Sequence, residues 1–333
     1  MEVKEAILNN EIAKVKEFLA SFDLSYEQDI DKTLFIEEND EIIATISKSK
    51  ALIKCMAVSS NYQNENLSAT LIVKMIEKMH EEGIYSYMVF TKAIYEATFI
   101  NLGFRKIVST ENTVMLEGGI ETIYDEIKKM KVKISSEYGE ISETTKVGCV
   151  VINANPVTLG HQFLIETSNK ENDLTLVFVV TEDKQEFDFK TRYSLVYLAC
   201  KKYENVVVLP ASKYIVSKLT FPTYFLKKDI VDKEISLIDG LIFKEYFMKE
   251  LKINTRYVGS ETKEKMNDYN QSLKEILKEA LVLVDRISVD GTIVSASLVR
   301  SLLKQGKYEE AFKYIPQECL AVFKVMIYGK YSW

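Results

Sequence analysis

From Val147 onward, the hydrophobic pattern falls into short apolar runs separated by helical stretches. The runs are VGCVVIN (147–153), LTLVFVV (174–180), NVVVLP (205–210), RYVGS (256–260) and ALVLVDRI (280–287). They are rich in Val and Leu and lack the apolar–polar alternation of a half-exposed strand, which predicts strands covered on both faces. Between them the spacing changes to that of helices. Tyr193, Val196, Tyr197 and Cys200 form one stripe at i, i+3, i+4 and i+7 within 190–203. Further helices are expected over 161–169, 236–251, 267–280 and 295–305. Strand–helix alternation of this kind predicts an α/β, doubly wound, Rossmann-like parallel sheet, with its ligand site at the C-terminal ends of the strands.

The first part of the chain reads differently. LFIEEN and EIIATISKSKALIKCMAV suggest a hairpin and a longer strand. A helix over 66–81 follows, with Leu67, Leu71, Ile72, Met75, Ile76 and Met79 along one side. A strand (85–91), a helix (93–101) and GFRKIV complete an α+β order with antiparallel strands early. The segment 118–146 has a short amphipathic stretch and then becomes polar. The expected organisation is therefore residues 1–130, a linker over 131–146 and a second domain over 147–333.

Composition narrows the function class. The 333 residues are 47% hydrophobic and 28% charged, which suits a globular protein able to bury full cores. A formal charge of −6 argues against broad binding to nucleic acid or to an anionic membrane. No stretch approaches the roughly 20 apolar residues that cross a bilayer, and the N-terminus lacks a signal-peptide core, so a cytoplasmic location is expected. Cys55, Cys149, Cys200 and Cys319 stand far apart and read as reduced, buried thiols. With only His80 and His161, a multi-histidine metal site cannot be assembled, and any metal should be an oxygen-ligated ion such as Mg²⁺ arriving with a nucleotide.

Two stretches carry candidate chemistry. In NANPVTLGHQFLIE (153–166), a strand ends, a loop containing Pro156 turns, and His161 stands at a helix start after Gly160. Unpaired N–H groups and a partial positive charge of about +0.5 make such an end a cradle for phosphate. Thr158 adds a hydroxyl beside the imidazole, and a glycine lets the backbone approach a ligand. The competing reading is an ordinary helix cap. In SVDGTIVSASLVRSLLKQG (288–306), Ser295 and Ser297 sit at a second helix start, and Arg300 follows Ser297 at i,i+3 on the same face. A guanidinium there can grip phosphate oxygens as a fork, although an N-cap followed by a surface arginine has the same appearance. Two phosphate-suited helix starts in one α/β domain reinforce each other.

Thr158-Leu-Gly-His161 with Ser295-Ala-Ser297-Leu-Val-Arg300 resembles the HxGH and ISSTxxR motifs of the nucleotidyltransferase superfamily, with Thr158 at the first histidine's position. The longer stretches INANPVTLGHQFLIE, FVVTEDKQEFDFKTRYSLV, SKYIVSKLTFPTYFLKKD, RYVGSE, DYNQSLKEIL and IVSASLVRSLL together resemble the citrate lyase ligase family. LIKCMAVSSNYQNENLSATLIVKMIEKM and FTKAIYEATFINLGFRKI resemble a GNAT acetyltransferase-like domain. One departure is YQNENLSA, which places Asn64 and Asn66 where an acetyl-CoA loop usually has glycine.

The resemblance implies a ligase that activates acetate with ATP and Mg²⁺ as acetyl-adenylate. The acetyl group then passes to the prosthetic-group thiol of the citrate lyase acyl carrier subunit, releasing AMP and pyrophosphate. It implies that His161 and Thr158 act on the α-phosphate region. Ser295, Ser297 and Arg300 should hold the departing phosphates. Asn153, Asn155 and Gly160 should form the loop, and Gly259 and Ser260 should meet the nucleotide. Lys184 and Arg192 are further candidates for phosphate contact, against a solvated-face reading. FPTYF (221–225) is either a wall of the acetate or carrier site or buried core. Two other functions share these residues. One is a different adenylyl- or cytidylyltransferase making a nucleotide-linked product, and the other an acyl-CoA-sensing protein with a vestigial nucleotide site.

Overall fold

A computed structural model describes all residues except 63–64, 183–184, 217–219, 261–268 and 332–333. The chain forms two compact units: residues 1–122 with 220–238, and residues 123–219 with 239–333.

In the first unit, β1 (Lys4–Glu5), β2 (Lys32–Glu38), β3 (Glu41–Ser49), β4 (Leu52–Val58), β5 (Ser86–Lys92), β6 (Arg105–Ser109) and β7 (Thr113–Gly119) make one sheet in the order β1-β2-β3-β4-β5-β7-β6. Every pairing is antiparallel except β4 with β5, where α2 (Leu67–Glu81) carries the chain back for a parallel return. The expected stripe Leu67, Leu71, Ile72, Met75 and Met79 is the buried face of α2. With Leu34, Ile36, Ile46, Val89 and Leu116 of the sheet it forms this unit's core.

β4 and β5 pair only at Leu52–Met88 and Ile53–Val89. Just past that point, residues from far downstream complete the core. Phe221 lies 5.3 Å from Phe90 between ring centroids, and the Tyr224 hydroxyl donates to the Phe90 carbonyl at 3.1 Å. Phe221, Tyr224 and Phe225 are all buried. Thr223 N–H donates to Glu27 Oε1 at 2.9 Å, and the Glu234 carboxylate accepts from Thr110 and Asn112. The aromatics of FPTYF are thus buried, Tyr224 and Phe225 also line a cleft beside β4 and β5, and the stretch belongs to the first unit rather than to the domain in which the sequence pattern placed it.

The second unit begins with α4 (Ile123–Glu137), so the expected linker is a correction. Ile123, Ile127, Met130 and Ile134 recur at helical spacing and are buried, which makes this segment part of the domain rather than a tether. Then follow β8 (Val147–Ile152), α5 (Leu159–Glu171), β9 (Leu174–Val179), α6 (Phe189–Cys200) and β10 (Val206–Pro210). After α7 (Val231–Ile242) come β11 (Thr255–Gly259), α8 (Tyr269–Leu277) and β12 (Leu281–Val284). A small hairpin of β13 (Ser288–Val289) and β14 (Thr292–Ile293) precedes α9 (Ala296–Lys304), α10 (Tyr308–Phe312) and α11 (Gln317–Tyr331).

The five long strands are all parallel, in the order β10-β9-β8-β11-β12. The order reverses between β8 and β11, which creates a crevice beyond the strands' C-terminal ends. β9 is buried throughout its length, as its unbroken apolar run requires. In α6 the buried face is Arg192, Leu195, Val196, Ala199 and Cys200, while Tyr197 is exposed. The stripe is turned from the expected one because α6 contacts α11 as well as the sheet. Gly148 sets the depth of α5 on the sheet. A Cβ there would lie 2.3 Å from Ser168 Oγ and 2.6 Å from Asn172 Nδ2, so only glycine admits this close approach.

The four cysteines are free and buried. Among the described residues, no helix is long and apolar enough to cross a membrane.

The position of 220–238 makes the first unit's stability depend on a distant part of the sequence. Tyr224→Ala should cost about 3–5 kcal/mol, as for other buried large-to-small changes. Tyr224→Phe should cost only about 1 kcal/mol, for the lost hydrogen bond. Urea unfolding followed by far-ultraviolet circular dichroism measures both. Equal and negligible costs would contradict the placement of this segment in the core.

Candidate functional site

A cleft of about 320 Å³ opens at the C-terminal edge of the parallel sheet, at the point where strand order reverses. Strand ends supply Ile152, Asn153, Gly259 and Val284. The starts of α5 and α9 supply Thr158, Gly160, His161, Ser295 and Ser297, and the turn after β12 supplies Asp285 and Arg286. The two motifs are more than 130 residues apart in sequence and share one wall.

At the first helix start, Thr158 is the N-cap and Leu159 the first helical residue, so His161 stands in the third helical position rather than opening the helix. Glu or Gln usually fills that position in a capping box. Here the imidazole performs the task, with Nδ1 accepting from the Thr158 backbone N–H at 3.1 Å. Thr158 Oγ1 lies 2.9 Å from the same nitrogen. With Nδ1 an acceptor, the ring proton is on Nε2, which makes that nitrogen a donor. Burial lowers the His161 pKa to about 4, assisted by the positive charge of Arg286. The imidazole is therefore neutral near pH 7: it caps the helix through Nδ1 and keeps its N–H on Nε2 as a donor.

Gly160 has open surroundings. A Cβ there would meet nothing closer than 3.6 Å, at Thr158 Oγ1 and the Val294 carbonyl. The protein itself does not require glycine at this position, so any demand for it comes from what enters the cleft.

At the second helix start, Ser295 is the N-cap of α9 and its Oγ accepts from Leu298 N–H at 3.1 Å. Arg300 Nη2 donates to Ser297 Oγ at 3.2 Å, the one-face relation expected of an i,i+3 pair. Arg300 Nη1 donates to the Asn155 carbonyl and so ties α9 to the loop that leads into α5.

The loop 153–155 is held from behind. Asn153 and Asn155 both donate their side-chain N–H groups to Gln185 Oε1, at 2.9 and 2.6 Å. Gln185 Nε2 donates back to Asn153 Oδ1 at 3.1 Å, and Phe187 N–H donates to Asn155 Oδ1 at 3.1 Å. Arg192 is fully buried and does not line the cleft. Its guanidinium donates to the main-chain carbonyls of Asn153, Val180, Glu182 and Phe187. Neither phosphate contact nor a solvated face describes it: it is an internal brace for the loop. Asn155 is likewise a brace behind the cleft, whereas Asn153 reaches its lining. Lys184 lies outside the described residues.

Three residues of functional interest escape a reading of motifs alone. Gln185 sits in a polar segment without a helix or strand signature. Asp285 and Arg286 were contained in the apolar run 280–287, but β12 stops at Val284. The switch-point rule is the signal that could have found them, because it makes the first polar residues past a parallel strand candidates for the site.

Among the described residues, no three His, Cys, Asp or Glu side chains are grouped to hold a metal ion. Among the described residues, Asp285 is the one carboxylate in the cleft lining. The first unit holds a separate cleft of about 350 Å³ beside β4 and β5. Near it, Asn66 caps α2 with φ of 54°, in the left-handed region where glycine is common. Asn64 lies outside the described residues.

Comparison with known proteins bears on both units. Residues 147–323 match the family model described as the citrate lyase ligase C-terminal domain. A [citrate [pro-3S]-lyase] ligase from Klebsiella pneumoniae is 30% identical over 317 residues, covering 92% of this chain and 91% of that protein. The protein of the same name from Escherichia coli K12 is 29% identical over 318 residues, covering 92% and 89%. Among solved structures, an acetyltransferase of the GNAT family from Staphylococcus aureus Mu50 is 16% identical, with a TM-score of 0.32, covering 36% of this chain and all of that one. The ribosomal-protein-S18-alanine N-acetyltransferase of Escherichia coli is 12% identical with a TM-score of 0.29, covering 36% and 96%. On the extent of the family match and of the Klebsiella alignment, the chain belongs to the citrate lyase ligase family.

Proposed function

We propose that the protein is an ATP-dependent ligase that activates citrate lyase by acetylating the prosthetic-group thiol of its acyl carrier subunit. The observation that carries this reading is the meeting of two helix N-termini, α5 with His161 and α9 with Ser295 and Ser297, on one cleft at the switch point of a parallel sheet. Membership of the family supplies the acceptor chemistry.

In the first half-reaction an acetate oxygen attacks the α-phosphorus of ATP in line, forming acetyl-adenylate as pyrophosphate leaves. In the second, the carrier thiolate attacks the acetyl carbonyl and AMP departs. No protein nucleophile is needed, so the residues act by positioning and by stabilising developing charge. His161 donates its Nε2 proton as a hydrogen bond to an α-phosphate oxygen without first having to change protonation state. Thr158 is a positioning residue that fixes the ring from its Nδ1 side.

The hydroxyls of Ser295 and Ser297 and the open start of α9 take the β- and γ-phosphates. Arg300 closes that end while holding the loop at Asn155. Gly160 lets the triphosphate approach the backbone, and Gly259 and Ser260 border the nucleoside. Bound with ATP, Mg²⁺ would offset the charge of the triphosphate, and Asp285 would be the carboxylate of the described cleft lining able to hold it or its waters. Four reduced, buried thiols suit a cytoplasmic setting.

Incubation with ATP, Mg²⁺, acetate and deacetylated citrate lyase should restore lyase activity, and acetate should support ATP–pyrophosphate exchange. His161→Ala should lower exchange by about 10²–10³-fold, the usual cost of one preorganised donor. Its circular dichroism should match the parent's. Exchange with a phosphorylated acceptor, and none with acetate, would point to a different nucleotidyltransferase.

A pH dependence follows from the buried imidazole. Its folded-state pKa of about 4 lies below the ordinary 6.5, so the unfolded chain binds the proton more readily. The stabilising contribution is full above pH 6.5 and is lost as pH falls from 6.5 toward 4. Exchange should therefore show no acidic limb from His161 between pH 6 and 8. Nuclear magnetic resonance titration, with the His161 signal assigned by His80→Asn, should place its midpoint near 4. A midpoint at 6.5 or above contradicts the neutral-donor account.

A further inference from the structure

The cleft has three arginines in or beside it, and they are not equivalent. Arg192 is enclosed by main-chain carbonyls, and Arg300 divides its bonds between the Asn155 carbonyl and Ser297. Arg286 belongs to neither motif. It lies two residues past the end of β12 and lines the cleft together with Gly160, His161, Ser295 and Ser297. Its Nε donates to the carbonyl of Ser260, just past β11, at 2.6 Å. Ser260 N–H in turn donates to the Val284 carbonyl at 2.8 Å, so two adjacent strand ends fix the point of attachment.

A guanidinium held at Nε keeps both terminal nitrogens for another partner, in a planar fork that matches two oxygens of one phosphate. Among the described residues, no carboxylate pairs with Arg286 and no acceptor engages its terminal nitrogens. Asp285, next to it in sequence, also lines the cleft without forming an ion pair with it. Arg286 is close enough to His161 for its charge to act on the imidazole, so both address one region of the cleft.

We propose that Arg286 is a catalytic residue of the adenylating cleft, whose terminal nitrogens bind the α-phosphoryl oxygens opposite His161 and neutralise charge there as pyrophosphate leaves. This inference rests on the acetate-adenylating reading of the site. Charge at the reacting phosphorus then has two complementary donors. The neutral imidazole contributes a directed hydrogen bond, and the guanidinium contributes the positive charge that the imidazole lacks. The Ser260 tether sets the fork before ATP arrives, so little reorganisation is needed during the reaction.

The test compares Arg286→Gln and Arg286→Lys with the parent in acetate-dependent ATP–pyrophosphate exchange, in calorimetric binding of ATP with Mg²⁺, and in titration of His161. Arg286→Gln should lower kcat by about 10²-fold or more, as expected for loss of one charge-stabilising group. Arg286→Lys should recover part of that loss, since it restores charge without the fork. The His161 midpoint should rise in the Gln variant and move less in the Lys variant, which a purely structural role for Arg286 would not produce.

Unchanged exchange and unchanged His161 titration in Arg286→Gln would overturn the proposal. So would a rise confined to KM for acetate with ATP binding intact, which would make Arg286 a clamp for the carboxylate substrate. If the parent shows no acetate-dependent exchange, the functional reading itself fails. ATP binding then decides the arginine's part: a loss of at least tenfold in Arg286→Gln supports a phosphate arm, and no loss excludes it.

Discussion

A single hydrogen bond across the second unit, from the Arg300 guanidinium to the Asn155 carbonyl, joins the two halves of the candidate ATP site. Each half alone is an ordinary helix start. α5 has a cap and a glycine, and α9 has a serine cap and an arginine one turn later. Their partial charges become useful to a triphosphate only if both helices open on the same space. The parallel sheet brings them near each other by reversing strand order between β8 and β11. Arg300 then fixes the loop of one against the first turn of the other. Behind that loop, Gln185 and the buried Arg192 hold its amides and carbonyls, so its conformation is set before any ligand arrives.

The electrostatics of the cleft follow from this arrangement. An imidazole removed from water beside Arg286 is driven to its neutral form, which would weaken it as a cation but suits it as a fixed donor. Positive charge is instead supplied by groups that cannot deprotonate, Arg286 and Arg300. The division separates hydrogen-bond direction from charge. In the proposed mechanism it also means that His161 takes up no proton near neutral pH.

Much of this was legible in the sequence, for physical reasons that differ from element to element. Strands covered on both faces announce themselves as unbroken Val and Leu runs: β8, β9, β10 and β12 fall within the expected segments, and β11 begins one residue before its own. The two motifs were legible as helix starts because short hydroxyl, glycine and arginine side chains recur there at fixed spacing. The burial of Arg192 escapes a local reading because it depends on carbonyls supplied by two separate loops, after β8 and between β9 and α6, which no local pattern records. Arg286 was hidden inside an apolar run whose strand ends three residues earlier than the run does. The excursion of 220–238 into the first unit was equally invisible. Aromatic residues declare that they will be buried, but not against which core. The linker was misplaced through an under-weighted signal, since Ile123, Ile127, Met130 and Ile134 already have helical spacing.

The central claim is that the starts of α5 and α9 form one nucleotide site. The most direct test is to follow the backbone amides of Gly160 and Ser297 by nuclear magnetic resonance during one titration with ATP and Mg²⁺. The account predicts that both signals shift along the same saturation curve, and that Arg300→Ala weakens the response at both. A shift at one helix start while the other stays unchanged at saturating ATP would contradict it.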